Sequence, residues 1–459
     1  MTGPVDTARP VIALLASSRI SMLGVALATT AGFSWAFVLP MHLQGQNTNP
    51  YIGLLVVFAI PLLLLLGLIL IPIGIVQARR RRLLPHLLDS RSAWRRIGIF
   101  IGLLSFVNIV IGSQATYRAV AYMETEQFCG ATCHVMKPEF TAFGHSPHSR
   151  LECVQCHVEP GTEGYIKAKM AGTRQLIHTV MNSFPRPIES GLESNRLVRS
   201  SATCENCHNR GREMGNPVRI LTKFASDEAN TRTSTVLTML GAHPAHLGAG
   251  VRIRYAAADA KRQTIPWVEM TSREGKVTVY KSPGFAADAI AKMPKFEMQC
   301  VDCHNRPAHT FELPEHAVDR AMAEGRLPVT LPYLKKKSVE ILTGAQSTST
   351  LSTSLSNFYA KTYPAIASSR QADIRRAGAE LEAIFSRNVF PDLKVTWGTY
   401  PVNMGHFDSP GCFRCHDGDH VSAGKQTIAN DCATCHQTPA VDEPAPAILQ
   451  QLGIPPRKL

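Results

Sequence analysis

The sequence predicts a mostly α chain with much irregular structure, in which three transmembrane helices precede an extracytoplasmic domain with a minor β-hairpin. Two asymmetries predict this. The long uncharged apolar stretches all lie before residue 118, and all twelve cysteines lie after it. Those cysteines form six pairs, each followed at once by a histidine, in a chain of 459 residues with room for two or three units.

The three-helix anchor is expected over residues 1–117. Its spans are Ser21 to Gln44, Tyr51 to Gln77 and Ile97 to Tyr117, each reaching the roughly 20 residues that a crossing helix needs. Pro61 and Pro72 fall inside the second span, beside the leucine run 62–66, and membrane helices accommodate such prolines when neighbours satisfy the freed carbonyls. Core helices of soluble proteins rarely run this far without a charge, so that reading is set aside. Residues 45–50 carry no charge, whereas 78–96 hold Arg79, Arg80, Arg81, Arg82, Arg91, Arg95 and Arg96. Arginine and lysine gather in cytoplasmic loops. The N-terminus and residues 78–96 are therefore expected in the cytoplasm, and everything after Tyr117 outside it. No Ala-x-Ala processing pattern lies near Pro40, so the first span is expected to stay attached.

The cysteine motifs are Cys129-Gly-Ala-Thr-Cys133-His134, Cys153-Val-Gln-Cys156-His157, Cys204-Glu-Asn-Cys207-His208, Cys300-Val-Asp-Cys303-His304, Cys412-Phe-Arg-Cys415-His416 and Cys432-Ala-Thr-Cys435-His436. Two thiols at this spacing add to the two vinyl groups of a haem, and the adjacent histidine turns under the ring to bind iron. Zinc sites and disulfides also use paired cysteines, but neither requires histidine at the next position. With 17 histidines in 459 residues, six such coincidences have a chance of roughly 10⁻⁸ to 10⁻⁹. The extracytoplasmic part thus reads as a multihaem cytochrome c domain holding six covalently bound c-type haems. The first motif departs by one extra spacer residue, which alters where His134 points. Met136, two residues on, is an alternative iron ligand there, and a thioether raises reduction potential.

Charge agrees with this reading. The net charge is +13, but residues 1–96 contribute +7 of it, from nine Arg against Asp6 and Asp89. Roughly two propionates per haem would leave the loaded domain mildly acidic. No basic stripe interleaved with aromatics appears, so nucleic acid is not an expected partner.

A haem that only relays electrons has both axial positions filled. Besides the six motif histidines, and His42 and His86 in the anchor, the chain has His145, His148, His178, His243, His246, His309, His316, His406 and His420. His148, His178, His243, His246, His309, His406 and His420 are the candidate distal ligands. This supply, and the lack of any Cys-x-x-Cys-Lys variant, favours relay over catalysis at a haem.

Residues 117–182 and 300–313 resemble the NapC/NirT family of membrane quinol dehydrogenase cytochromes, including its NrfH-like members. The resemblance rests on Phe128-Cys129 and Cys133-His134-Val135-Met136-Lys137-Pro138, on Gly144-His145-Ser146-Pro147-His148 before Cys153, and on Ala171-Gly172-Thr173-Arg174-Gln175-Leu176-Ile177-His178. Cys303-His304-Asn305-Arg306-Pro307-Ala308-His309 completes it. It implies ligand roles for His148, His178 and His309. It also implies oxidation of quinol, of the menaquinol class, at the outer membrane face, with electrons passing through the haems to a periplasmic cytochrome or other redox protein. The partners would be membrane lipid, the quinone pool and other membrane subunits. Three spans and two additional C-terminal motifs are more similar to inner-membrane cytochromes of metal-reducing bacteria. Two other readings stay open: a conduit subunit without its own quinol site, and a reductase acting at one haem.

Residues 162–183 read as a helix stopped by Pro185, with Lys167, Arg174 and His178 on one face. The resemblance places a quinol-contacting lysine near Lys169, so Lys167, Lys169 and Arg174 form the expected quinol site. Lipid-headgroup contact is the competing role for these cations. The four-haem domain is expected over 118–313, with an insertion at 209–299 that holds His243-Pro-Ala-His246 and the hairpin Ile265–Met270 and Lys276–Tyr280. Residues 314–400 read as a helical linker region, with a Ser/Thr-rich linker at 345–357 and a helix at 366–387. A two-haem unit then occupies 401–459, ending in a loosely ordered proline-rich tail from Pro439 to Pro456.

Overall fold

The fold is that of a computed structural model and is described for residues 8–43, 60–80, 90–194, 198–208 and 216–454. The uncharged loop 45–50, the start of the second expected span (51–59), the stretch 81–89 with Arg81, Arg82 and His86, and residues 209–215 lie outside the described residues. The chain divides into two units, Met1–Cys133 with Thr173–Ser183, and His134–Gly172 with Phe184–Leu459.

The first unit contains α1 (Ala8–Ser17), α2 (Arg19–Leu43), α3 (Ile60–Arg80) and α4 (Ser90–Met123). Among the described residues, α3 and Trp94–Met123 of α4 are long and apolar enough to cross a membrane. Their outer faces carry exposed Leu62, Leu65, Leu68, Leu103 and Phe106. A soluble core helix would bury these, whereas a lipid-facing helix presents them. α2 runs 25 residues with no charge after Arg19.

α2 packs on α3 through a seam of small residues. A Cβ on Gly67 would sit 2.7 Å from the Ala28 nitrogen and 2.8 Å from the Gly24 carbonyl oxygen, and one on Gly74 would sit 2.4 Å from the Ser21 nitrogen. The Ser21 hydroxyl donates to the Ile71 carbonyl at 3.0 Å. In lipid, helices gain little by burying apolar surface against each other. Close backbone approach and interhelical hydrogen bonds drive pairing instead, and only small residues permit that approach.

The second unit begins with α5 (Lys137–Gly144), α6 (Cys153–His157) and α7 (Thr162–Val180), whose last residues from Thr173 belong to the first unit. The insertion follows: β1 (Val218–Phe224), β2 (Arg232–Met239), α8 (Ala242–Leu247), β3 (Arg252–Ala256), β4 (Trp267–Thr271), β5 (Val277–Lys281), α9 (Ala287–Lys292) and β6 (Lys295–Glu297). After α10 (Cys300–Cys303) come α11 (Pro314–Ala323), α12 (Leu334–Gly344), α13 (Leu351–Thr362), α14 (Pro364–Ser369) and α15 (Gln371–Asn388). The chain ends with β7 (Val421–Ser422), α16 (Cys432–Cys435), β8 (His436–Glu443) and α17 (Ala447–Gln451).

The β content exceeds the single hairpin expected. β4 and β5 pair antiparallel around a turn in which the Ser272 nitrogen donates to the Lys276 carbonyl at 2.9 Å and Gly275 takes φ +80°. They are the centre of a five-stranded sheet ordered β6-β3-β4-β5-β7, and β1, β2 and β8 form a second sheet. The added strands were hidden because several are too short to show a period. β6 has three residues and β7 two. β7 and β8 pair residues of the C-terminal segment with strands of the insertion. The tail expected to be loose from Pro439 is instead β8 and α17, with Val236, Ala440 and Leu449 buried together. Residues 455–459 lie outside the described residues.

The helices α11 to α15 enclose a core that includes Met322, Leu331, Leu342, Leu355, Leu381 and Phe385. The stretch expected to be a Ser/Thr linker forms α13, where Leu351, Leu355 and Tyr359 at i, i+4 and i+8 are fully buried. Ser and Thr fill the positions between, so composition masked the periodicity. α15 buries Ile374, Ala377, Leu381 and Ile384 at the spacing read from the sequence. It starts at Gln371, because non-helical Arg370 (φ −121°) separates it from α14.

Candidate functional site

Each Cys-x-x-Cys motif is a tight helical turn. α6, α10 and α16 are single α-turns, while Cys204–Asn206 and Gly411–Arg414 are 3₁₀ turns. Such a turn folds the motif histidine back over its first cysteine. The nitrogens of His208, His304 and His416 donate to the carbonyls of Cys204, Cys300 and Cys412 at 2.8, 2.8 and 3.0 Å. The first motif, one residue longer, forms a π-helical turn over Phe128–Thr132, closed by the Cys133 nitrogen on the Phe128 carbonyl at 3.2 Å. A π-turn is the backbone's way of absorbing one extra residue, and such turns recur at functional sites.

Among the described residues no disulfide joins any of the twelve cysteines, and no three His, Cys, Asp or Glu converge as a metal-ligand group. Burial raises the Cys303 thiol to about 11.

Five motif histidines face a second imidazole from elsewhere in the chain. His157 faces His309 with ring centres 6.0 Å apart, and His208 faces His148 at 6.2 Å. His304 faces His243 at 6.1 Å, His416 faces His246 at 5.7 Å, and His436 faces His406 at 6.3 Å. Metal–imidazole bonds are about 2 Å and each bonding nitrogen lies about 1 Å from its ring centre, so one iron between two imidazoles sets the centres about 6 Å apart. The residues present therefore fit haem iron held between paired histidines.

Second partners fix the form these rings take. Nδ1 of His148, His309, His246 and His416 donates to the carbonyls of Pro307, Glu139, Ala242 and Ala429 at 3.3, 3.0, 2.7 and 2.5 Å. A carbonyl only accepts, so the proton sits on Nδ1 and Nε2 keeps the lone pair that binds metal. Burial lowers the pKa of His157, His246, His304 and His309, which holds them neutral. His309 is further fixed by a buried pair: Arg306 Nη2 lies 2.9 Å from Glu139 Oε2, and Arg306 Nε donates to the His309 carbonyl at 2.7 Å. Glu139 and Arg306 were not singled out from sequence, where an acid and a base 167 residues apart carry no joint signal.

Five histidines within residues 90–454 stand outside these pairs: His134, His145, His178, His316 and His420. His420 was expected to ligate, but its Nδ1 bonds Asp417 Oδ1 at 2.8 Å and its Nε2 donates to the Ile265 carbonyl at 2.6 Å. With both nitrogens engaged and the ring fully buried, it is a structural histidine. His178 Nδ1 lies 2.9 Å from Ser183 Oγ, His316 pairs with Asp408 at 3.0 Å, and His145 is exposed near the arginines 320 and 387. His134 faces the Phe184 ring edge at 6.3 Å instead of an imidazole, and Met136 is half-buried in the same 3₁₀ turn.

α7 ends at Val180, three residues before the expected stop. Ile166, Met170, Ile177 and Val180 form an exposed apolar stripe on it. Lys167 and Arg174 flank that stripe on one side and Lys169 on the other, by helical spacing. Lys167 pairs with Glu163 at 2.6 Å, and Lys169 Nζ lies 4.8 Å from the centre of the Tyr165 ring. An exposed apolar stripe bordered by cations is the pattern of a helix lying in a membrane interface.

Residues 92–235 match the NapC/NirT cytochrome c family, N-terminal region. The cytochrome c-type protein ImcH of Geobacter sulfurreducens is 38% identical over 444 residues, covering 91% of this chain and 87% of the relative. The chain belongs to the NapC/NirT cytochrome c family. Two further relatives match only part of it. The cytochrome c-type protein TorC of Escherichia coli is 29% identical over 25% of this chain and 31% of its own length. The cytochrome c-type protein NrfH of Wolinella succinogenes is 27% identical over 24% of this chain and 59% of its own. No solved structure matches the chain significantly. As a NapC/NirT cytochrome it is a membrane-anchored c-type cytochrome that binds haem covalently.

Proposed function

We propose that this chain is a hexahaem quinol dehydrogenase. It oxidises a quinol of the menaquinol class at the outer face of the inner membrane and relays the electrons to a periplasmic redox protein. Three spans (α2, α3 and α4) anchor it, with the N-terminus and the arginine-rich segment around Arg79–Arg96 cytoplasmic. The observation that carries the relay reading is the set of five facing imidazole pairs. Iron with both axial positions filled by side chains changes oxidation state without opening a site for substrate. The bound haems supply the one-electron chemistry. Nδ1–H donated to a backbone carbonyl orients the distal imidazoles of His148, His246 and His309.

Quinol oxidation releases two electrons and two protons, so cations and proton acceptors are needed where the quinol docks. The α7 face meets that need. Its apolar stripe suits the isoprenoid-bearing interface, and Lys167, Lys169 and Arg174 border it. Lys167 or Lys169 contacts the quinol oxygen in this reading. Replacing both with Met is expected to abolish haem reduction by a menaquinol analogue while reduction by dithionite is unchanged; unchanged quinol rates refute the site. Purified wild-type protein that oxidises the analogue unaided rejects a mere conduit subunit.

A second reading has one observation behind it. His134 faces Phe184 rather than a second imidazole, so the haem of the first motif is where an open iron position would arise. Met136 is the candidate that would close it. A high-spin signal from one haem in the resting protein supports the open site, and the red absorption band of a methionine–iron bond supports closure.

A further inference from the structure

His243 and His246 stand one turn apart on α8, within the insertion, yet they face different motifs. The His243 ring lies parallel to that of His304, 6.1 Å away with planes at 15°. The His246 ring meets His416, 5.7 Å away with planes at 63°. Spacing i, i+3 puts both imidazoles on one side of the turn.

The two motifs they face are locked together from behind. Arg414, a spacer residue of the fifth motif, is buried. Its Nη2 donates to the carbonyl of Asp302, a spacer residue of the fourth, at 2.6 Å, and its Nη1 donates to the Arg262 carbonyl at 3.0 Å. Asn403 Nδ2 adds a bond to the same Asp302 carbonyl at 3.0 Å. The Asp302 carboxylate, itself buried, accepts from the Tyr255 hydroxyl and from Arg262 Nη1 at 3.3 Å. β3 carries Tyr255, so the strand that follows α8 reaches the same clamp.

We propose that α8 is a shared ligand turn: His243 completes the haem attached at Cys300 and Cys303, and His246 completes the haem attached at Cys412 and Cys415. The insertion is thereby the element that joins the C-terminal haems to the family core, and the Arg414–Asp302 clamp holds the two attachment loops in register. The proposal rests on reading the motifs as haem sites, and it assigns to one six-residue helix the axial chemistry of two irons.

The test uses the full-length, haem-loaded membrane protein and spectroscopy in place of turnover. In His243→Ala and in His246→Ala, total haem stays at the wild-type level. One haem per chain turns high-spin and binds carbon monoxide when reduced, two do so in the double variant, and added imidazole restores the low-spin state. Resonance spectra separate the two. His243→Ala removes a rhombic low-spin component, as near-parallel imidazoles give, and His246→Ala removes a strongly anisotropic one, as steeply crossed rings give. His420→Ala, whose ring is bonded elsewhere, leaves the spin states unchanged. Should the alanine variants mature poorly, His243→Met and His246→Met each raise one midpoint potential and leave the others in place. Low-spin spectra and potentials that ignore both positions overturn the shared turn. Peptide mapping that finds no haem on Cys300–Cys303 or Cys412–Cys415 in the wild type overturns the haem reading itself, a distinct outcome.

Discussion

Removing the Glu139 carboxylate tests whether the pair behind His309 matters for stability or for the haem. The two side chains are 8% and 7% exposed, and the Arg306 guanidinium reaches both carboxylate oxygens, at 3.1 and 2.9 Å. Deleting one partner of a buried pair strands the other charge, at about 3–5 kcal/mol. Arg306 keeps its bond to the His309 carbonyl and its place 4.4 Å from the centre of the Tyr400 ring, so the stranded charge stays partly satisfied and the cost lies at the low end of that range. Glu139→Ala should therefore cost about 3 kcal/mol. At roughly 2–4 °C per kcal/mol in domains of 150–250 residues, the midpoint of thermal unfolding falls by about 6–12 °C. Glu139→Ala with Arg306→Met removes both charges and should recover most of that loss. The bond that orients His309 goes to the Glu139 backbone carbonyl, so it survives the substitution. The variant's haem spectrum at room temperature should match wild type. A midpoint within about 2 °C of wild type, or a double variant no more stable than the single, refutes the reasoning.

Three further outcomes are expected. Gly67→Val places side-chain atoms against the Ala28 and Gly24 backbone and should lower the melting temperature of the detergent-solubilised protein, whereas Gly102→Val, with nothing within 4 Å of its Cβ, should not. His406→Ala should give one carbon monoxide-binding haem per chain, because the ring faces His436 at 6.3 Å, whereas His316→Ala should give none. Chain produced without haem attachment should keep slowly exchanging amides in α11 to α15 and lose them around α6, α10 and α16, as hydrogen exchange would report.

What could be read in advance was whatever repeats locally. The cysteine–histidine motifs, the apolar spans and the stripe Ile374, Ala377, Leu381 and Ile384 all carry their signal within a few residues. The pairing of histidines does not. His148 lies five residues before Cys153, yet it faces His208 of the next motif; His406 lies six before Cys412, yet it faces His436. His420, four after His416, is bonded to Asp417 and the Ile265 carbonyl and faces no second imidazole among the described residues. Axial ligation is a tertiary contact, and nearness along the chain is no guide to it. The same limit hid Arg414 and Asp302, which occupy motif positions that haem attachment leaves free to vary.

The second unit contains two solutions to the problem of filling a core. Around α11 to α15 the chain does it with its own side chains: 17 residues form one buried cluster there, with Leu327, Leu331, Leu334, Leu342 and Leu351 fully enclosed. Elsewhere among the described residues the largest such cluster has six members. The segments that carry the motifs leave Phe407 and Phe413 exposed beside the His406 ring, which lies 4.7 and 4.4 Å from them. A protein rarely wastes aromatic surface in this way, since each buried aromatic contributes a large hydrophobic stabilisation. In the proposed hexahaem reading, a porphyrin held by two thioether bonds and two imidazoles would supply the missing apolar area. The motif-bearing segments then need few large side chains of their own, which is why they read as irregular in sequence. The helical core is filled by its own side chains and shows the ordinary 3.6-residue apolar period.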